Sequence, residues 1–383
     1  MKRVLIAGAS VAGPALAYCL ARHEGFQVTV VERAAALRPG GQAVDFRGPG
    51  RELLRKIGLD ERIRAARTET LGVASVDRDG REISREMAHE RGGDGTIAEI
   101  EILRGDLAQL MYEETAGTAE YRFGDHIVGL EQTADHVTAR FASGLREDYD
   151  IVVGADGLRS SLRSLVFGPH DRYLHDLGLL IGFFTAPNHL ELDRWALNYT
   201  EGGAGGAVVR SIRDNREASV LLAVRGDRRD CDSRDVAGQQ AFLRERMGGL
   251  GWEIPRLLDM MDASDDFYFD TCSLTRMPVW SAGRVMLLGD AAHCASPTSG
   301  QGTNQAFIGA YVLAGELAKS GGEHAAAFDA YERIMRDYVA GNQGVGQENA
   351  QRFGSFRDDS EIWIEDHQLS AIRGIQLPDY LAA

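Results

Sequence analysis

The sequence predicts an α/β fold in which one domain is assembled from separated segments of the chain and a β-sheet domain is inserted into it. Two observations lead to this prediction. Strand–helix–strand patterns occur at the start of the chain, again near residue 150 and again near residue 285, and strand-rich stretches lie between them. Alternation of strands and helices is typical of a parallel sheet covered by helices. We therefore expect the three separated patterns to complete one sheet.

The domain boundaries are placed where these patterns change. The first domain is predicted to be Rossmann-like and to bind a dinucleotide, because a short apolar strand, a turn rich in small residues and a helix open the chain. The remaining strand-rich stretches form the inserted sheet. The predicted segments are 1–70, 97–174 and 272–325 for the dinucleotide domain, 71–96 and 175–271 for the inserted sheet, and 326–383 for a C-terminal helical region.

The composition excludes several classes of protein. The chain has 383 residues and a net charge of −15, which disfavours nucleic acid or an anionic membrane as a partner. No uncharged stretch approaches the roughly 18 residues that span a bilayer, and the N-terminal run does not resemble a signal peptide. The histidines show no metal-binding spacing, and no cysteine pair has C-x-x-C spacing. We expect a cytoplasmic protein, monomeric or homodimeric, without a disulfide framework or metal; its cysteines are Cys19, Cys231, Cys272 and Cys294.

The first βα turn, GASVAG (Gly8–Gly13), is close to two unrelated motifs. As G-x-G-x-x-G it is a phosphate-binding turn whose middle glycine has become Ser10. As G-x-S-x-G it is a hydrolase elbow whose last glycine has become Ala12 and whose nucleophile is Ser10. Glu32 favours the first interpretation, because it ends the second strand, where a carboxylate can accept hydrogen bonds from a ribose. The turn also follows the first strand of the chain, which is where dinucleotide folds place it.

Two later motifs narrow the choice of cofactor. DIVVGADGLRSSLR (Asp150–Arg163) places an Asp-Gly pair after a buried strand, and GDAAHCASPTSGQGTNQA (Gly289–Ala306) places an aspartate and two glycines before a helix. Together with the N-terminal turn, these motifs resemble the single-component, aromatic-hydroxylase class of FAD-dependent monooxygenases. The resemblance extends from Met1 to about Lys319 and is weakest over the inserted sheet.

The resemblance implies a set of residues that bind FAD. The N-terminal turn would surround the pyrophosphate, and Glu32 would hold the adenosine ribose. The start of the last glycine-rich helix would point backbone N–H groups at the flavin ring. Asp45 lies in a loop (Gly40–Gly48) along which the ring would lie, and Arg38 is either a contact for the nicotinamide cofactor or a solvated surface arginine. The implied contacts are Gly8, Ser10, Ala12, Gly13, Glu32, Arg33, Arg38, Asp45, Arg104, Asp156, Asp290, Pro297, Gly300, Gly302, Thr303 and Asn304.

The resemblance further implies that NADPH or NADH, bound transiently, reduces FAD and that O₂ then hydroxylates an aromatic or polycyclic small molecule through a flavin C4a-hydroperoxide. The cofactor makes and breaks the bonds, so no protein nucleophile is required, and no catalytic residue is assigned. The inserted sheet is expected to cover the substrate. Alternation along its strands makes Phe183, Phe184, Trp195, Asn198 and Arg210 candidates for the lining.

Three other interpretations remain open at this point. Trp252, Ile254 and Pro255 match part of a flavin-halogenase signature, although the start of a helix after a turn explains them better. The chain could also be an FAD-binding accessory protein or a flavin reductase that lacks hydroxylase activity. His293, within GDAAH, has either a structural role or a role in proton transfer.

Overall fold

The structure is a computed structural model that describes residues 1–38, 40–227, 235–353 and 366–380; Cys231 and part of the predicted C-terminal region lie outside these ranges. The strands of the described residues are β1 (Lys2–Ala7), β2 (Phe26–Glu32), β3 (Ala43–Phe46), β4 (Gly72–Val76), β5 (Glu82–Met87), β6 (Ile100–Leu103), β7 (Ala119–Phe123), β8 (Ile127–Gln132), β9 (Val137–Phe141), β10 (Arg146–Tyr149), β11 (Ile151–Gly154), β12 (Leu174–Pro187), β13 (Trp195–Glu201), β14 (Gly205–Ile212), β15 (Glu217–Arg225), β16 (Tyr268–Thr275), β17 (Ser281–Ala282) and β18 (Val285–Leu287). The helices are α1 (Ala12–Leu20), α2 (Pro49–Ile57), α3 (Asp60–Ala65), α4 (Arg104–Thr115), α5 (Ser161–Phe167), α6 (Val236–Met247), α7 (Ile254–Asp262), α8 (Asp290–His293), α9 (Gly302–Lys319), α10 (His324–Arg352) and α11 (Asp366–Ile372).

A six-stranded sheet joins the three segments predicted to form one domain. Its strand order is β17-β18-β11-β1-β2-β7, and all pairs except β17 with β18 are parallel. The central strands β1 and β11 are short apolar runs that are almost fully buried, as expected where helices cover both faces of a parallel sheet. The predicted α/β fold of discontinuous segments is confirmed.

Helices α1 and α9 pack against each other, and both contribute to the core around this sheet. Every residue of α1 is buried, and α9 is buried from Thr303 to Leu317. Both helices start at the carboxyl ends of the strands, β1 for α1 and β18 for the segment that leads into α9. Their N-termini therefore point at the edge of the sheet where ligands bind in open α/β folds.

The inserted domain is a seven-stranded sheet with the order β16-β12-β15-β14-β13-β4-β5. One face packs on α6 and α7 through Leu243, Leu257 and Met261, all fully buried. The other face looks toward the six-stranded sheet. Strand β16 continues to Thr275, so the sheet extends a few residues beyond the boundary expected at 271.

The rest of the chain closes the sides of the molecule. Strands β8 to β10 form a separate three-stranded sheet, and β3 pairs with β6. The C-terminal region contains α10 and α11, but residues 373–380 run without helix along α9. Within the described ranges, no helix is both long and apolar enough to cross a membrane.

Candidate active site

One large cavity lies between the two sheets. Its volume is about 1260 Å³, which exceeds the 300–1,000 Å³ or so of a site for one drug-sized ligand. The carboxyl ends of β1, β2 and β11 form one wall, and the free face of the seven-stranded sheet forms the other. We call these the cofactor wall and the sheet wall. The cavity therefore has room for a dinucleotide and a second molecule.

The shape of the N-terminal turn in the cofactor wall requires glycine at two positions. Gly8 has a φ of +108°, and a Cβ at this position would overlap the carbonyl oxygen of Ala155, the residue after the neighbouring strand β11. A Cβ on Gly13 would overlap the carbonyl oxygen of Gly8. Helix α1 begins within this motif, at Ala12, with no side-chain cap and no acidic residue in its first turn. Its free N–H groups and the positive end of its dipole are suited to a phosphate.

Glu32 stands at the end of β2 and closes the same turn. Its carboxylate accepts hydrogen bonds from the backbone N–H groups of Ala9 and Ala34, each at 2.9 Å. Glu32 and Arg33 both line the cavity, and the Arg33 guanidinium donates to the Ser161 hydroxyl. The carboxylate is thus fixed beside the N-terminal turn, where it could accept hydrogen bonds from a ribose diol if a phosphate of the same ligand occupied the turn.

Ser10 lines the cavity next to an arginine. Its Oγ accepts a hydrogen bond of 3.2 Å from Nη1 of Arg104. Arg104 begins α4, lines the cavity, and burial lowers its pKa. His293, which a hydrolase would need beside the serine, is instead bonded to Tyr331 and Gln305. The hydrolase interpretation of GASVAG therefore lacks its general base.

The two aspartate motifs meet at the same wall. Asp156 accepts a hydrogen bond from the N–H of Leu162 through one oxygen, while its other oxygen has no partner among the described residues. Asp290 lies deep in the molecule, yet its side chain is exposed because it opens into the cavity. The surrounding protein desolvates the carboxyl group and raises its pKa, and the Arg104 guanidinium opposes this shift.

The start of α9 completes the cofactor wall. Gly300 has a φ of +63°, and α9 starts at Gly302 without a side-chain cap. Pro297, Gly300, Gly302 and Thr303 line the cavity. Asn304 does not, because it is fully buried: its Oδ1 accepts from the backbone N–H of Arg47 and its Nδ2 donates to Gln301. The Asn304 side chain therefore joins the start of α9 to Arg47 and Gln301 and does not reach the cavity.

A group of four charged side chains lies where the two walls meet. Asp45 on β3 and Glu101 on β6 are directly opposed across the two strands. Asp45 pairs with Arg47 at 2.6 Å, and Glu101 pairs with Arg210 of the sheet wall at 2.9 Å. Glu101 also accepts from the hydroxyls of Thr68 and Thr70, and burial raises its pKa against the effect of Arg210. Each carboxylate thus has its own arginine.

The sheet wall contains three of the residues proposed for substrate. Phe183, Asn198 and Arg210 line the cavity. Phe184 follows Phe183 on the same strand and points to the opposite face, where it packs with the helices. Trp195 is outside the lining, because its ring lies under the Arg85 guanidinium at 4.2 Å. The remaining predicted cofactor residues Gly8, Ser10, Ala12, Arg38, Asp45 and Arg104 all line the cavity, whereas Gly13 supports the turn from behind.

Sequence reasoning missed several residues of the cavity. Tyr268 and Asp270 lie on the edge strand β16, and the alternation in FYFD (267–270) was the available signal. Gln368 and Ile372 belong to α11, and no sequence motif predicted that this helix reaches the cavity. Glu101 could not be recognised in the sequence, because a buried acidic residue in a short strand looks the same as a solvent-exposed acidic residue.

His293 lies behind the cofactor wall. It is fully buried: Gln305 donates to its Nδ1 at 2.9 Å, so its Nε2 carries the proton and donates to the Tyr331 hydroxyl at 2.8 Å. Burial lowers its pKa to about 3. His293 is therefore a neutral side chain that joins the loop after β18 to α9 and α10.

The residues of the cofactor wall fit FAD. Two uncapped helix N-termini and a glycine turn suit its phosphates and the electron-rich edge of its ring, and Glu32 suits a ribose. Arg104 and Asp290 line the cavity with them. In the part of the chain that the structure describes, no cluster of three histidine, cysteine or acidic side chains could hold a metal ion.

Comparisons with known proteins agree with this fit. Residues 1–342 match a protein family described as "FAD binding domain". An uncharacterised protein of Mycobacterium tuberculosis is 43% identical over 91% of this chain and 94% of its own length. A flavin-dependent monooxygenase of Legionella longbeachae is 37% identical over 99% of this chain and 98% of its own. The crystal structure of the tetracycline destructase Tet(55) matches with a TM-score of 0.87 and 36% identity, covering 99% of each chain.

Proposed function

The chain belongs to the FAD-binding family of flavin-dependent monooxygenases, and from that premise we propose that it uses NAD(P)H and O₂ to hydroxylate an aromatic or polycyclic small molecule. FAD is its cofactor. The observation that carries the proposal is the continuity of one cavity from the phosphate-binding turn to the sheet wall. A second molecule on the sheet wall would lie next to the flavin without a barrier between them.

The cofactor wall would hold FAD with backbone groups and a few charges. We propose that Gly8, Ser10 and the start of α1 bind the pyrophosphate with Arg104, that Glu32 binds the ribose, and that the start of α9 faces the flavin ring. When bound, FAD supplies the redox chemistry, because it takes up electrons from NAD(P)H and activates O₂. The positive end of the α9 dipole would favour negative charge on the ring.

The sheet wall would bind the substrate and keep water away from the reaction. Its lining is mixed: Ile181, Phe183 and Leu221 offer apolar contact, while Ser75, Asn198 and Ser219 offer hydrogen bonds. A planar molecule with oxygen substituents matches such a surface. The similarity to a tetracycline destructase at 36% identity supports a polycyclic substrate of this kind.

The proposal is tested by NADPH and NADH oxidation, O₂ uptake and product mass over a panel of phenols, naphthols and tetracyclines. We expect the purified protein to be yellow and at least one compound to accelerate NAD(P)H oxidation and to gain one oxygen atom. Asp290→Ala serves as the control, because it removes a carboxylate of the cofactor wall and should purify with much less FAD.

The alternatives give different results in the same assay. An accessory protein would bind FAD without oxidation stimulated by any compound. A reductase would oxidise NAD(P)H with no oxygenated product, and a halogenase would require chloride or bromide. The residues of the partial halogenase signature lie at the start of α7 or just before it, and Ile254 packs on the back of the seven-stranded sheet, away from the cavity.

A further inference from the structure

Tyr268 is an aromatic side chain that the protein leaves uncovered inside its own cavity. Its residue surface is 41% exposed, and it lines the cavity. Phe267 and Phe269, on either side of it, pack against the opposite face of the sheet. Phe183 is its direct neighbour on β12 and lines the same cavity. A tyrosine ring in this position offers a free aromatic surface to whatever the cavity holds.

The ring of Tyr268 is fixed by its hydroxyl. The hydroxyl donates to Oδ2 of Asp270 at 2.7 Å. Asp270 in turn accepts from Nη2 of Arg159 at 2.6 Å and from the backbone N–H of Thr271 at 2.8 Å. Arg159 belongs to the segment that follows the Asp156-Gly157 pair, so this chain of bonds joins the sheet wall to the cofactor wall. Burial and the adjacent carboxylate raise the pKa of Tyr268, which keeps the hydroxyl a donor.

Tyr268 lies on the cofactor side of the cavity. Strand β16 is at one edge of the seven-stranded sheet, and β13 and β14, which carry Asn198 and Arg210, are separated from it by β12 and β15. The charge of Arg104, which is bonded to the phosphate-binding turn, acts on the Tyr268 hydroxyl. The charge of Asp270 likewise acts on Asp290. Tyr268 and its partner Asp270 therefore lie close enough to the cofactor wall to feel the charges of Arg104 and Asp290, and the Arg159–Asp270 bond joins them to the segment after Asp156.

We propose that Tyr268 is a positioning residue whose ring stacks with the isoalloxazine ring of bound FAD. An electron-rich phenol and an electron-poor planar heterocycle form a favourable offset stack, and a ring tied at its hydroxyl loses little freedom when the stack forms. The Asp270–Arg159 bonds set the orientation of the phenol. This inference rests on FAD as the cofactor and does not depend on the substrate proposed above.

Time-resolved flavin fluorescence of the FAD-bound protein, without NAD(P)H or substrate, tests the proposal. A stacked tyrosine quenches flavin emission by electron transfer, which tryptophan also does and phenylalanine does not. We expect a quenched component in the parent protein that Tyr268→Trp retains and Tyr268→Phe loses. Tyr268→Phe should keep the parent Kd for FAD within about twofold, whereas Tyr268→Ala should weaken it about 2- to 10-fold.

Tyr149→Phe is the matched control. The Tyr149 hydroxyl also donates to a carboxylate, that of Glu147, but this residue lies outside the cavity lining and its loss should leave the emission unchanged. The proposal is overturned if Tyr268→Phe retains the quenched component. It is also overturned if the variants change emission only after a nicotinamide nucleotide or an aromatic compound is added, because the ring would then face that molecule. Neither result bears on whether the protein hydroxylates a substrate.

Discussion

The two walls of the cavity are built in different ways. The cofactor wall consists of backbone: two glycines without room for a Cβ, two uncapped helix N-termini and a few charged side chains fixed beside them. The sheet wall consists of side chains that alternate along regular strands. A backbone wall tolerates little change in shape, whereas a side-chain wall can change chemistry without changing the fold. The comparison predicts where substitutions disturb folding and where they change only the contents of the cavity.

The largest effect is expected at Gly8. Gly8→Ala places a methyl group at a positive φ and against the carbonyl oxygen of Ala155, which directly follows β11 and donates its backbone N–H to Ala7 of β1. We expect a loss of about 4 kcal/mol in the free energy of unfolding and loss of FAD, measured by urea unfolding and flavin content. Gly144→Ala is the control: its φ is +90° but no atom lies near its Cβ, so about 1 kcal/mol should be lost. Equal losses would contradict the steric explanation.

The next effect tests the side-chain wall at its buried ion pair. Arg210→Met leaves the Glu101 carboxylate without its cation, which should cost about 3 kcal/mol at pH 8. The loss should shrink as the pH falls, because the pKa of Glu101 is already raised and the group can take up a proton. The double variant Glu101→Gln/Arg210→Met should recover most of the loss. An unchanged unfolding midpoint for Arg210→Met at every pH would show that the pair carries no stability.

A third test concerns the support behind the cofactor wall. The pKa of His293 is lowered to about 3 in the folded protein, so the unfolded chain binds a proton more readily between pH 6.5 and 3. Folding stability supplied by neutral His293 is therefore lost as the pH falls through this window, by about 1.4 kcal/mol per pH unit. His293→Gln should show a shallower decline between pH 6 and 5 in chemical unfolding. Parallel curves for the two proteins would indicate that His293 is protonated when folded.

The smallest effect is expected at Ser10, the one side chain in the phosphate-binding turn that differs from the usual glycine. Ser10→Gly removes a single 3.2 Å hydrogen bond with Arg104 and should change FAD binding by about 0.5 kcal/mol, roughly twofold in Kd. Isothermal titration of the FAD-free protein measures this change. Ser10→Leu, which adds bulk to the cavity lining, should weaken binding much more. Loss of FAD binding in Ser10→Gly would mean that the wall depends on this hydroxyl.

The same contrast explains what the sequence could predict. Glycines at Gly8 and Gly300 and the carboxylate of Glu32 have fixed places in a strand–turn–helix, so their positions along the chain sufficed to place them on the cavity. Asn304 belongs to the same motif, but its side chain turns inward to Arg47, which a spacing pattern cannot reveal. Phe183 and Phe184 are adjacent on β12 and point to opposite faces of the sheet, and the sequence does not show which of them faces the cavity. Arg210 pairs with Glu101 of a distant strand, and Asp270, which holds the Tyr268 hydroxyl, is bonded to Arg159 far away in the chain; the sequence alone does not show which distant residues meet.

The order of the segments along the chain also limits when the protein can acquire FAD. Strand β1 pairs with β11, and β11 pairs with β18, while α9 follows only at Gly302. During synthesis the first βα turn must wait for most of the polypeptide before its neighbours exist. Contacts of such long sequence separation form slowly and leave strand edges exposed meanwhile. FAD can therefore find its complete site only after the chain has been synthesised through α9, so cofactor loading comes late in the formation of the protein.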